Sequence, residues 1–257
     1  MVLVELLSKE CYEDYCHRFN LVWQYLQNTS YEENSVISNI CELRGYSLES
    51  NMPTMLSEVG FVYLDPDLFD ESKISKFDKN KDLGLYTEEG KFLLMGRFIF
   101  PVKDMLGNVI ALIGWYPDEK KYITTPSKFF SKKCLFFGME QLKKTGIGKN
   151  YYVVEGIFDC ISVRSLGFNC VAIMGISVSN YTKVLYSLFK KVIAIPDNDK
   201  EGRKVVVEDK WHIPSNGKYL RWNGSLKDID DMIKIYDMSD ILRDAWNEPD
   251  KVITIDC

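Results

Sequence analysis

Between Tyr151 and Tyr236 the chain repeats one pattern: a short apolar run, a polar break, then a stretch with helical spacing. The runs are "YYVV", "NCVAIM", "KKVIAIP" and "GKYLRW", and the stretches that follow are "FDCISVRSLG", "SNYTKVLYSLF", "KEGRKVVVEDKW" and "DIDDMIKIY". Strands that alternate with helices run parallel, because each helix carries the chain back to the edge where the next strand starts. Runs without apolar–polar alternation fit strands buried on both faces. The expectation is an α/β layer with a mainly parallel sheet. Gly167 is expected to stop its first helix, and Ser177 or Ser179 to cap its second.

The first part of the chain reads as α+β. Residues 1 to about 60 are expected to be mostly helical. Tyr12, Tyr15, Phe19, Val22, Trp23 and Leu26 recur at helical spacing. "SYEENSVISNICELRG" predicts a second helix, with Ser30 as its cap, Glu33 three residues on and Gly45 as its stop. "FLLMGRFIFPVKD" and "VIALIGWYP" flank "LGN" and predict two strands joined by a turn. The expected division is a mixed α/β basic subdomain over 1–148, an α/β domain over 149–234, and a short helical tail over 235–257 with an irregular end.

The 257 residues suffice for one large or two modest domains. No apolar run approaches the ~20 residues that span a bilayer. "MVLVELLSKE" lacks the basic start and long apolar middle of a secretion signal. A cytoplasmic protein with no membrane partner is expected. The seven cysteines form no CxxC pair, and there are two histidines. Only Cys11 and Cys16-His17 approach a zinc-ligand spacing, so no zinc is expected and the thiols read as reduced. The net charge is −5, yet Lys91 to Asn150 holds eleven basic and four acidic residues, a local +7 against −12 elsewhere. A basic segment beside clustered acids suits a polyanion held next to bound divalent metal, or equally a solvated lysine-rich surface.

Three of the proposed strands run into acids at their carboxyl ends, where open α/β sheets bind ligands. The first leads to Glu155 and, one turn on, Asp159. The third leads to Asp197 and Asp199, and the fourth to Asp228 and Asp230. Residues i and i+2 of an extended segment point the same way, so Asp197 and Asp199 can face one point. Carboxylates that converge repel: at ~5 Å and an effective dielectric near 20, each pair costs roughly 3 kcal/mol. A hard divalent cation offsets this, and oxygen-only donors favour Mg²⁺ or Mn²⁺. Acids after strands also serve as turn formers and helix caps; three clusters in register favour a shared site. Asp197, Asp199, Glu201, Gly202 and Glu208 also match calcium-loop positions. That reading fails because "KKVIAIP" predicts a strand, not a helix, before the loop, and Lys204 stands where an apolar residue is wanted.

"VVEGIFDCISVRSLG", "VIAIPDNDKEGRK" and "LKDIDDMI" resemble, in order and spacing, the motifs of the Toprim domain, the metal-binding fold of bacterial-type primases, topoisomerases and several nucleases. The likeness spans Lys149 to Lys234. Upstream, Arg97, Phe100, Pro101, Val102, Asp104 and Gly107, then Lys121, Tyr122, Thr124 and Pro126, then Lys132 before "LFFG", resemble the catalytic core of DnaG-type bacterial and bacteriophage primases. Together with "CELRGYS" the resemblance covers about residues 35 to 234. It implies a central metal site of Glu155, Asp197 and Asp199, completed by Asp159, Asp228 and Asp230. It implies phosphate or template contacts at Arg97, Lys121, Lys132, Lys133 and Arg203. Trp115, Tyr116, Phe129 and Phe130 are candidates for base stacking.

The implied activity is that of a DNA primase, a nucleotidyltransferase making short RNA primers from ribonucleoside triphosphates on single-stranded DNA by two-metal phosphoryl transfer, in a bacterial or phage-infected cell. Thr124 stands where Asn is common, and Cys134 where a basic residue is. The zinc ribbon that usually precedes this core is not among these residues, so a separate zinc-bearing template-recognition protein or a replicative helicase is an expected partner. The alternatives are a Toprim nuclease, in which the same acids activate water, and a non-catalytic Toprim DNA-binding module.

Overall fold

The structure is a computed structural model that describes residues 9–78, 82–118, 121–125, 135–174 and 180–256. It divides into two compact units, Met1–Lys132 and Lys133–Cys257.

The first unit runs α1 (Lys9–Asn28), α2 (Glu33–Arg44), α3 (Met52–Val59), β1 (Val62–Tyr63), α4 (Glu71–Phe77), β2 (Phe98–Lys103), β3 (Val109–Tyr116) and β4 (Lys121–Thr124). Helix α1 buries the expected stripe from Tyr15 to Leu26, while Tyr12 is half-buried. Ser30 does not cap α2; its hydroxyl instead exchanges hydrogen bonds with the backbone of Tyr63. The helix begins after Glu32 and ends at Gly45, whose φ of 71° suits glycine. The sheet is antiparallel, in order β1-β2-β3-β4. Strand β2 begins at Phe98, later than its apolar run suggests. Asp104 builds the β2–β3 turn: its Oδ1 accepts from the backbone N–H of Leu106 and of Asn108, both at 2.8 Å. Its Oδ2 accepts from the Tyr12 hydroxyl at 2.7 Å, tying the turn to α1.

The second unit runs α5 (Gln141–Thr145), β5 (Asn150–Val154), α6 (Ile157–Ser165), β6 (Cys170–Ala172), α7 (Asn180–Tyr186), β7 (Lys191–Ile195), α8 (Lys200–Val207), β8 (Lys218–Asn223), α9 (Ile229–Ile235), α10 (Ser239–Ala245) and β9 (Val252–Asp256). Its five strands are all parallel, in order β6-β5-β7-β8-β9. The end expected to be irregular is strand β9, which forms the edge beside β8. Its alternating half-exposed pattern is what an edge strand shows, and its polar residues hide the signal from a search for apolar runs. Ser177 and Ser179 lie outside the described residues.

The sequence pattern explains the core. The apolar positions of β5 and β7 are buried on both faces. On one face Tyr151, Val153, Val192 and Ala194 pack with Trp211, Phe189 and Val205. All nine residues of α6 are buried, and it packs against β5, β6 and α9. Chain order and strand order together create a switch point. From β5 the chain passes to β6 on one side; from β7, the other neighbour of β5, it passes to β8 on the opposite side. A crevice opens outside the carboxyl ends of two such strands.

Candidate metal centre

The acids predicted from sequence sit at that crevice. Val154 and Ile195 are register partners on β5 and β7, so Glu155 and the loop carrying Asp197 and Asp199 leave the sheet at the same level. Asp199 caps α8, its Oδ1 accepting from the backbone N–H of Glu201 and Gly202 at 2.9 and 2.8 Å. Gly202 is required by close approach: a Cβ there would lie 1.8 Å from the Asp197 carbonyl oxygen. Glu208 is the cap at the other end of α8, so the calcium-loop pairing of Asp197 with Glu208 is not formed.

Asp228 caps α9 and accepts from the Asp231 N–H at 2.8 Å. Asn198 joins the two acidic loops: its backbone N–H donates to the Lys227 carbonyl at 2.6 Å, and its amide donates to the carbonyls of Gly224 and Leu226.

Two of the six acids brace the others. Asp159 is 8% exposed. Its oxygens accept from the N–H of Gly156 at 3.0 Å and of Asp230 at 3.3 Å. Asp230 is fully buried, accepts from the Ser162 hydroxyl and pairs with Lys234 at 2.7 Å. These bonds fasten α6 to α9 beneath the crevice. Glu155, Asp197 and Asp228 are half-buried, and Asp199 stands at the head of its helix.

The electrostatics show one connected cluster. Burial, then the charges of Asp197 and Asp199, pushes the Glu155 carboxyl up to about 7. Burial and the charges of Asp228, Asp197 and Asp230 hold Asp159 well above the usual carboxylate range. Asp197 and Asp228 are also raised, by burial first. Lys227 partly offsets this with a 2.9 Å ion pair to Asp197.

Sequence reasoning missed three participants. Asp231 offers a carboxylate oxygen within 4.8 Å of oxygens from Asp228 and Asp230; its place directly after Asp230 was the available signal. Lys227 and Ser162 carry no motif, since a lone lysine before an acid and a serine inside a helix look ordinary. The donor set is all oxygen, partly buried and short of cations, which fits a hard divalent metal.

The basic candidates are more dispersed. Arg203 donates to the Asn198 carbonyl at 2.9 Å, bracing the acidic loop. In the first unit, Arg97 lies over the Tyr116 ring, 5.5 Å from its centroid, and its buried Nη1 has no hydrogen-bond partner. Lys121 is exposed on β4. Lys132 and Lys133 lie outside the described residues, as do Phe129 and Phe130. Trp115 is 2% exposed against Phe98, so it belongs to the core and cannot stack a base.

Residues 152–233 match the family model described as Toprim-like. This stretch is thus similar to a Toprim domain. Two curated relatives are DNA primases. That of Clostridium acetobutylicum is 33% identical over 130 residues, covering 48% of this chain and 22% of the relative. That of Helicobacter pylori is 28% identical over 235 residues, covering 79% of this chain and 41% of the relative. The chain thus spans less than half the length of these relatives. Among solved structures, a DnaG primase catalytic domain bound to ssDNA superposes with a TM-score of 0.70 at 17% identity, covering 91% of this chain and 78% of that one. The chain therefore has the fold of the DnaG catalytic core, and the Toprim-like stretch supplies four of the five parallel strands, β5 to β8. Among the described residues, no helix is long and apolar enough to cross a membrane.

Proposed function

We propose that this chain is the nucleotidyl-transferring part of a DNA primase, joining ribonucleotides into short RNA primers on a single-stranded DNA template. The observation that carries the reading is the position of Glu155, Asp197 and Asp199 beyond two adjacent central strands that part at a switch point. The Toprim-like match over the residues that bear these acids, and the similarity to DNA primases, support this chemistry.

Glu155, Asp197, Asp199 and Asp228 would hold Mg²⁺ or Mn²⁺, with Asp231 at the margin and Asp159 and Asp230 bracing from below. The chemistry such an ion would supply is a lowered pKa at an attacking 3′-hydroxyl and neutralised charge on departing pyrophosphate. Asp199 and Asp228, locked as helix caps, aim their free oxygens without needing to reorganise. Glu155, raised to about 7, is able to exchange a proton near neutrality. Lys227, paired with Asp197 at 2.9 Å, would offer its ammonium group to a substrate phosphate at the crevice. Arg97, Lys121, Lys132 and Lys133 would contact template or nucleotide phosphates. A replicative helicase or a zinc-bearing protein is the proposed source of any missing template contact.

The test is to incubate the chain with single-stranded DNA, labelled ribonucleoside triphosphates and Mg²⁺ or Mn²⁺, with and without a helicase or zinc-bearing partner. Metal-dependent short RNAs that vanish in Asp197→Ala support the proposal. Metal-dependent shortening of the DNA would replace it with the nuclease reading, and DNA retention without chemistry with the binding module.

A further inference from the structure

The sheet end opposite the acids carries a cavity of about 350 Å³. It is lined by Lys149 and Asn150 at the start of β5, Phe168 before β6, Lys190 before β7, Trp246 after α10, and Tyr152. No acidic side chain lines it. The Lys149 and Lys190 side chains are exposed and form no ion pair among the described residues, and their backbones are joined by a 2.7 Å hydrogen bond from the Lys190 N–H to the Lys149 carbonyl. The two lysines therefore leave the sheet end side by side.

The aromatic wall is fixed from beneath. The buried Tyr152 ring lies 4.8 Å from the Trp246 ring and 5.6 Å from the Phe168 ring, centroid to centroid. The two flanking rings are half-buried and so keep part of their surface open to the cavity. The third feature is polar. The Asn150 Oδ1 is shielded from solvent and has no hydrogen-bond partner. A buried acceptor left unpaired is unfavourable and calls for an N–H donor.

Two cations call for an anion, open rings for a flat apolar body, and the amide oxygen for an N–H on that body's edge. We infer that the cavity binds a nucleotide unit, with its base against Trp246 and Phe168, a base N–H donated to Asn150, and its phosphate held by Lys149 and Lys190. Every nucleobase presents an N–H, and aromatic stacking tolerates all of them. Inorganic phosphate alone would leave the rings and the amide unused. The volume lies in the range of small-ligand sites and suits one nucleotide. The unit is either a free nucleotide or one residue of a single strand. The five residues of β5 separate it from Glu155 by roughly 17 Å. It is therefore a second site, independent of the acidic cluster.

Binding in EDTA isolates this site from metal-dependent contacts. Dye-labelled dT12 and GMP are titrated by anisotropy and tryptophan quenching, on wild type, Trp246→Ala, Trp246→Phe and the double variant Lys149→Ala/Lys190→Ala. The expected result is about a tenfold or greater loss in Trp246→Ala, largely recovered in Trp246→Phe. The double lysine variant weakens binding and flattens the log–log salt slope by about one. Variant-sensitive binding of GMP identifies a free nucleotide as the occupant; variant-sensitive binding of dT12 alone identifies a strand. The inference is overturned if neither probe binds at millimolar concentration, or if the lysine variant binds both with unchanged affinity and salt slope. Should Trp246→Ala fail to fold by thermal melting, the exposed lysine pair decides the matter alone.

Discussion

Glu155→Gln offers a quantitative test of the crowded carboxylates. In the metal-free fold the Glu155 carboxyl is raised from an ordinary 4.5 to about 7, by burial first and then by Asp197 and Asp199. Below pH 4.5 it is protonated whether folded or unfolded, and its contribution to stability is intact. As the pH rises through about 7 it must ionise in the fold, and stability is lost. That gap corresponds to about 3 kcal/mol. Asp159, Asp197 and Asp228 are raised too, so they add loss of the same sign. Glutamine keeps the shape and removes the charge. Urea unfolding in EDTA between pH 4.5 and 8.5 should show wild type and variant nearly matched at the acid end, with the variant up to about 3 kcal/mol more stable at the alkaline end. Added Mg²⁺ should restore wild type at pH 8, because an ion that binds only the folded state stabilises it by mass action. If the difference between the two proteins does not change with pH, or grows in the opposite direction, the electrostatic account of the site is wrong.

Gly202→Ala should lose about 2–4 kcal/mol in urea unfolding and abolish the proposed primer synthesis, because its Cβ would fall 1.8 Å from the Asp197 carbonyl oxygen. Ser162→Ala removes a hydroxyl donor from the fully buried Asp230 and should cost about 1–2 kcal/mol while weakening Mg²⁺ binding measured by calorimetry. In the first unit, Arg18 holds Asp82 through two bonds of 2.7 and 2.9 Å. Asp82→Ala should lower stability by about 1–2 kcal/mol in urea unfolding, with Mg²⁺ binding unchanged.

The alternation of apolar runs and helical stretches announced the parallel sheet, and three of the four proposed strand ends led to acids. Strand order was not legible, because it depends on which faces pack and not on any local pattern. The switch point between β5 and β7 therefore emerges only in three dimensions. The same limit hid the division of labour among the six acids. In the sequence Asp228 and Asp230 are a matched pair, whereas the helix turns Asp228 toward the crevice as a cap and buries Asp230 against Ser162 and Lys234. Ser30 looked like a cap because its spacing to Glu33 fits; a neighbouring strand offered its hydroxyl a better partner in Tyr63. Trp115 looked like a stacking surface because aromatics near lysines often are; its strand faces the core.

Asn198 stands between two aspartates and reaches across to three carbonyls of the facing loop. The two walls of the crevice are thereby stitched together, and neither can spread without the other. A stiff cage discriminates by size. Ca²⁺ prefers about 6–8 oxygens at longer range and thrives in pliable surroundings, while Mg²⁺ demands a small, regular shell. Asn198→Ala would remove the two side-chain bonds and leave the backbone bond to Lys227, so it should loosen the crevice and raise the tolerance of any bound ion's site for larger ions.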